Sequence, residues 1–135
     1  MSRNKTFLAL DVGEKRIGVA VGDDGVRIAI AFDTIDVDGK ELERIARLVV
    51  NENVQTIVVG YPRNQSGEAT AQTAYVEQFA AQLKDLGPNV IFQDESLTSV
   101  LAEQRLKSYK KPYTKGDIDA QAAAMILQDY LEKAR

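Results

Sequence analysis

An α/β domain is the fold class this sequence predicts, built on a mixed five-stranded sheet with helices on both faces. Three observations carry that prediction. Short β-branched runs and longer stretches of helical periodicity follow one another in the order βββαβαβαα. The first three runs are separated by little more than turn residues and so form an antiparallel meander, whereas helices precede the last two, which return parallel by right-handed crossovers. Finally, 135 residues with 44% hydrophobic content suit a single domain, residues 1–135, with a real core; a chain of this size buries roughly two-thirds of its unfolded surface.

Each element has its own justification. Thr6 to Val12 is apolar on both faces, as a central strand must be. Ile17 to Val21 alternates large with small, so Gly18 and Ala20 leave one nearly flat face that a helix can approach closely. Gly22-Asp23-Asp24-Gly25 is a turn, and Val26 to Phe32 is expected as the third strand. After Gly39 the residues Leu42, Ile45, Ala46, Val49 and Val50 recur with helical spacing. Gln55 to Gly60 is a short β-branched run suited to a buried parallel strand. Tyr61 to Gly67 is a loop, and a helix is expected over 68–86, ended by Gly87-Pro88. Asn89 to Gln93 is the fifth strand, followed by helices from Thr98 to Lys107 and from Asp117 to Lys133.

Composition removes several chemistries. The chain has no cysteine, which excludes disulfides and thiolate zinc sites. It has no histidine, which excludes imidazole bases, imidazole metal sites and the Ser-His-Asp arrangement. No run reaches the ~18 apolar residues of a membrane span, and the first residues lead straight into a strand without an apolar signal segment. A cytoplasmic protein without a membrane partner is expected. The net charge of −3 speaks against a polyanionic partner, but its distribution speaks for one. Arg105, Lys107, Lys110, Lys111 and Lys115 stand together without an acid among them, on an otherwise acidic chain. Tyr109 and Tyr113 are interleaved with them, cations for phosphates and rings for stacking. A solvated loop would have the same composition.

The chemistry must then come from acids. Asp11 interrupts the apolar run Phe7-Leu8-Ala9-Leu10-Asp11-Val12, where an unpaired carboxylate would cost several kcal/mol. Asp94-Glu95 leaves the fifth strand at the carboxyl edge, where ligands of open α/β sheets bind, and periodicity does not choose between the two. On the last helix it does choose. From Asp119 an apolar stripe runs through Ala122, Ala123, Ile126, Leu127 and Tyr130, whereas the face of Asp117 passes Gln121 and Gln128. Asp119 is therefore expected to face the sheet and Asp117 the solvent. Three acids so placed call for a neutralising cation, and an all-oxygen donor set suits Mg²⁺ or Mn²⁺. Two such ions about 4 Å apart hydrolyse phosphodiesters without any histidine. Taken singly, each acid has a plainer role: Asp11 pairing with Lys15 or Arg16, Asp119 facing a helix dipole, Asp94-Glu95 as an exposed strand exit.

Four segments of this chain together resemble the YqgF/RuvX family of ribonuclease H-like proteins. They are Leu10-Asp11-Val12-Gly13-Glu14-Lys15-Arg16-Ile17-Gly18-Val19-Ala20, Val59-Gly60-Tyr61-Pro62-Arg63-Asn64-Gln65-Ser66-Gly67, Asp94-Glu95-Ser96-Leu97-Thr98-Ser99 and Lys115-Gly116-Asp117-Ile118-Asp119-Ala120. The resemblance implies a ribonuclease H-like fold and a metal-dependent nuclease with Asp11, Glu95 and Asp119 as its catalytic, metal-holding acids. It implies Mg²⁺ or Mn²⁺ as cofactor and maturation of the 5′ end of pre-16S ribosomal RNA as the activity, with branched-DNA resolution as the alternative. Lys15, Arg16, Arg63, Lys110, Lys111 and Lys115 are the candidate nucleic-acid contacts, and a homodimer is compatible with either substrate. A non-catalytic ribosome-assembly module would keep the same fold and basic loop. A sugar-kinase-like or actin-like ATPase shares the strand-Asp-x-Gly opening but closes two lobes over its nucleotide, for which 135 residues leave no room.

Overall fold

The computed structural model of the chain describes residues 4–62, 68–95 and 98–133, the side chains of 98–100 excepted. Strands β1 (Thr6–Val12), β2 (Arg16–Asp23) and β3 (Ile30–Asp36) are followed by α1 (Glu41–Asn51), β4 (Thr56–Pro62) and α2 (Ala71–Leu83). A 3₁₀ turn (Lys84–Leu86), β5 (Asn89–Glu95), α3 (Thr98–Ser108) and α4 (Lys115–Lys133) complete the order. The sheet runs β3-β2-β1-β4-β5, with β1 antiparallel to β2 and parallel to β4, and β4 parallel to β5. This is the mixed five-stranded sheet expected from the sequence.

Both faces are covered, in different ways. On one, Leu8, Leu10, Val12, Ile17 and Val19 interlock with Ile45 and Val49 of α1 and with Val76, Phe79 and Leu83 of α2. On the other, Phe7, Ala9, Ala20 and Val58 meet Ala123, Ala124, Ile126, Leu127 and Leu131 of α4. Small residues on both sides bring α4 down onto the strands. A Cβ on Gly18 would overlap the backbone carbonyl of Asp119, so only glycine leaves room for the helix there.

The third strand begins four residues later than its apolar pattern suggests. Asp23 is the reason: its Oδ1 accepts from the N–H groups of Gly25 and Val26, at 3.0 and 2.7 Å, and its carbonyl accepts from Arg27. Arg27 takes a left-handed conformation (φ 61°), which turns the chain out of the ladder. Helix α4 then holds the loop: Gln128 accepts from the Ala29 N–H and donates to the Arg27 carbonyl, while Arg27 Nη1 donates to the carbonyl of Leu131. Val26, Ile28 and Ile30 are exposed as a result. Pairing resumes from Ile30↔Val21 to Asp36↔Arg16, with a one-residue irregularity opposite Val19 and Ala20 that leaves Phe32 unpaired.

Capping moves two helix starts. Thr70 and Thr73 form a reciprocal capping box, so α2 opens at Ala71 and not at 68. Thr114 and Asp117 do the same for α4: the Asp117 N–H donates to Thr114 Oγ1 and the Thr114 N–H to Asp117 Oδ2, which begins the helix at Lys115. Among the described residues no helix is long and apolar enough to cross a membrane.

Candidate active site

Alternation along β1 puts Asp11 on the face of Phe7 and Ala9, the face that α4 covers, opposite Gly18 in the β2 ladder. Glu95 is the last residue of β5, opposite Pro62 of β4, and shares a face with Ile91. Strand β4 lies between them, so Glu95 has to reach over it. Gly60 makes that reach possible: a Cβ there would stand 2.7 Å from Glu95 Oε2 and 2.6 Å from Ile126 Cδ1. The register Leu10↔Val59 sets Gly60 beside Asp11, and the Glu95 carboxylate lies across it. Asp119 enters from the second turn of α4, its own backbone resting on Gly18.

The three carboxyls feel one another. Asp11 holds its proton well above the ordinary carboxylate range, first because it is buried, then because Glu95 and Asp119 are negative beside it, and last because of a hydrogen bond with Glu95. Asp119 has a different companion: Arg16 Nε donates to its Oδ2 at 2.6 Å, with the two side chains 34% and 22% exposed. Asp117 is exposed and spent on the cap, while Asp119 faces the sheet, the orientation that the apolar stripe predicts.

As a donor set, three carboxylates suit an oxygen-preferring dication. Their present positions do not yet form a cage, since among the described residues no group of three acids is arranged to hold an ion. Asp11 shares a hydrogen bond with Glu95, and Asp119 is paired with the Arg16 guanidinium.

The cationic candidates are dispersed. Lys15 is exposed in the turn between β1 and β2, beside Arg16. Lys110, with φ 57°, and Lys111 are exposed between α3 and α4, and Lys115 is the first residue of α4, one turn ahead of Asp119. Arg63 lies outside the described residues. The ring expected to stack beside the basic loop is in part committed elsewhere. Tyr113 donates its hydroxyl to Glu103 Oε2 at 2.8 Å, which raises the pKa of the phenol, whereas Tyr109 is exposed. Sequence reasoning missed Gly60 and the Arg16–Asp119 pair. The first had a signal, a glycine closing a β-branched strand at the sheet's carboxyl edge; the second joins residues 103 positions apart and had none.

The fold is that of the ribonuclease H-like resolvases. It is similar to RuvC of T. thermophilus in complex with a Holliday junction substrate, with a TM-score of 0.57 and 14% identity over 96% of this chain and 95% of that one. Fowlpox virus resolvase, in complex with Holliday junction DNA, gives a TM-score of 0.61 and 13% identity over 96% and 98%. At the level of sequence, the family described as "RuvX: Holliday junction resolvase" matches residues 5–133, and this chain belongs to it. Its relatives include a protein of Chloroflexus aurantiacus that is 44% identical over 98% of this chain and 90% of its own length. Another, from a Synechocystis strain, is 41% identical over 100% and 92%. Both carry the name "Putative pre-16S rRNA nuclease".

Proposed function

We propose that this chain is a divalent-metal-dependent nuclease acting as one domain, with Asp11, Glu95 and Asp119 as the acids that hold the ions. One observation carries the reading: carboxyls from β1, β5 and α4 converge closely enough for two of them to raise the proton affinity of the third. Mg²⁺ or Mn²⁺, as a two-ion pair, is the cofactor such a set suits. Bound there, the ions would supply positive charge where the phosphodiester oxygens gain negative charge. The protein's part is to hold the three carboxyls together on β1, β5 and α4. Lys15, Arg16, Arg63, Lys110, Lys111 and Lys115 would bind phosphates along the strand's approach.

Structured RNA is the favoured substrate, specifically the 5′ region of pre-16S ribosomal RNA in the cytoplasm, on the strength of the relatives' names. Branched DNA is the second reading, favoured by the family description, and a homodimer would serve it by presenting one site to each of two strands. Purified protein with Mn²⁺, given structured RNA and four-way DNA side by side, decides between them. Asp11→Asn should abolish cleavage of whichever is cut. In chelator the same variant should be more stable than the wild type at neutral pH, because burial first, and then Glu95 and Asp119, disfavour the charged form of Asp11 in the folded chain, a cost that asparagine does not carry. Undiminished cleavage by Asp11→Asn would remove these acids from the chemistry.

A further inference from the structure

We propose that Arg16 is a resident countercharge for Asp119: it holds the carboxylate in the cation-free protein, yields it to an incoming dication, and then binds a phosphate of the nucleic acid. The proposal rests on the reading of Asp11, Glu95 and Asp119 as cation ligands, and it assigns Arg16 a positioning role within that site.

Both ends of the pair are fixed by backbone. Arg16 opens β2, its Cα paired with Asp36 across the sheet, and its carbonyl accepts from the Gly13 N–H at 3.0 Å. Asp119 sits where α4 rests on Gly18, and Thr34 Oγ1 donates to the Gly116 carbonyl at 2.6 Å, tying the same end of α4 to β3. The side chains therefore meet because the strand and helix are placed for it. A guanidinium cannot lose its proton in the working pH range, so Arg16 stays a cation that any other cation at Asp119 must compete with. A dication approaching Asp119 Oδ2 repels the guanidinium already bonded there, and the pair is exposed enough for the exchange to be easy. Only Nε is engaged with Asp119. A guanidinium has five N–H donors in a fork that matches phosphate oxygens, and Lys15, exposed next to it, extends the same cationic edge.

The test is calorimetric titration of Mn²⁺ alone into wild type, Arg16→Met and Asp119→Asn, with circular dichroism to establish that each is folded. Arg16→Met should bind Mn²⁺ roughly two- to fivefold more tightly, because a competing cation is gone. It should also bind a short phosphodiester oligonucleotide more weakly, with a salt slope shallower by about one counterion. A merely structural arginine would not tighten metal binding when removed. Mn²⁺ affinity equal to or weaker than wild type in Arg16→Met overturns the proposal. Arg16→Gln, which also removes the charge, replaces it in the same titration should the methionine variant not fold. The parent reading fails separately: if Asp119→Asn binds Mn²⁺ like the wild type, the acids are not the cation site. Loss of binding in Asp119→Asn with no change in the Arg16 variants overturns the countercharge alone.

Discussion

The two faces of the sheet solve different problems. Beneath α1 and α2, large side chains interlock: Leu8, Leu10, Ile17 and Val19 from the strands, Ile45, Val76, Phe79 and Leu83 from the helices. Beneath α4, the strands offer Ala9, Gly18 and Ala20, and the helix replies with Ala120, Ala123 and Ala124. The first face gains stability from buried apolar area, at about 25 cal/mol per Å². The second also buries Phe7, Ile126, Leu127 and Leu131, but beside Asp119 it gives up side-chain volume for proximity, and proximity is what delivers Asp119 to Asp11. Both faces thus contribute a core, and only the α4 face also sets the site.

That division can be broken experimentally. The largest loss of stability should come from the thick face. Leu10→Ala, fully buried, should cost about 2–5 kcal/mol in urea unfolding, yet activity per folded molecule should stay near that of wild type. If activity falls in step with stability, the two faces are not separable. Gly18→Ala should cost about 1–3 kcal/mol, because the new methyl group would overlap the Asp119 backbone and force α4 to retreat. Retreat carries Asp119 with it, so cleavage per folded molecule should drop at least about tenfold; unchanged cleavage would mean that close approach does not set the site. The smallest effect belongs to the ion pair on the thick face. Arg44 donates two hydrogen bonds to Asp38, at 2.9 and 2.8 Å, and holds its pKa down to about 2. Its folded value lies below the unfolded one, so the stabilisation is present above about pH 4 and is lost as pH falls through about 2. The pair lies at the solvent surface, so Asp38→Asn should leave the melting temperature at neutral pH almost unmoved and change only the acid limb of the stability profile.

Most of the architecture was legible because it rests on periodicity. Gly18 and Ala20 announced a flat face, and the stripe from Ala122 to Tyr130 told which acid of α4 turns inward. The mixed character of the sheet followed from the meander and the crossovers. What escaped was tertiary. The run from Val26 to Phe32 has strand composition, but over its first four residues Asp23 and the distant Gln128 satisfy the backbone as a loop. Nothing local could reveal that. Asp11, Asp94-Glu95 and Asp119 stood out as charges beside apolar patterns, whereas the choice of Glu95 came from resemblance, and its path across Gly60 is visible only in three dimensions. The exchangeable partner of Asp119 lay equally out of reach, since ion pairing between β2 and α4 leaves no periodic trace.

One consequence concerns the length of α4. Near its start the helix is seated on Gly18 and bonded to Thr34; near its end Gln128 and the Leu131 carbonyl clasp the hairpin. Inserting or deleting a single residue between Asp119 and Gln128 would rotate one anchor by about 100° relative to the other. Either the carboxylate or the clasp would then face away from the sheet. The span between those two positions is in effect a phase constraint: loops elsewhere can drift in length, but this stretch of helix can change only in whole turns.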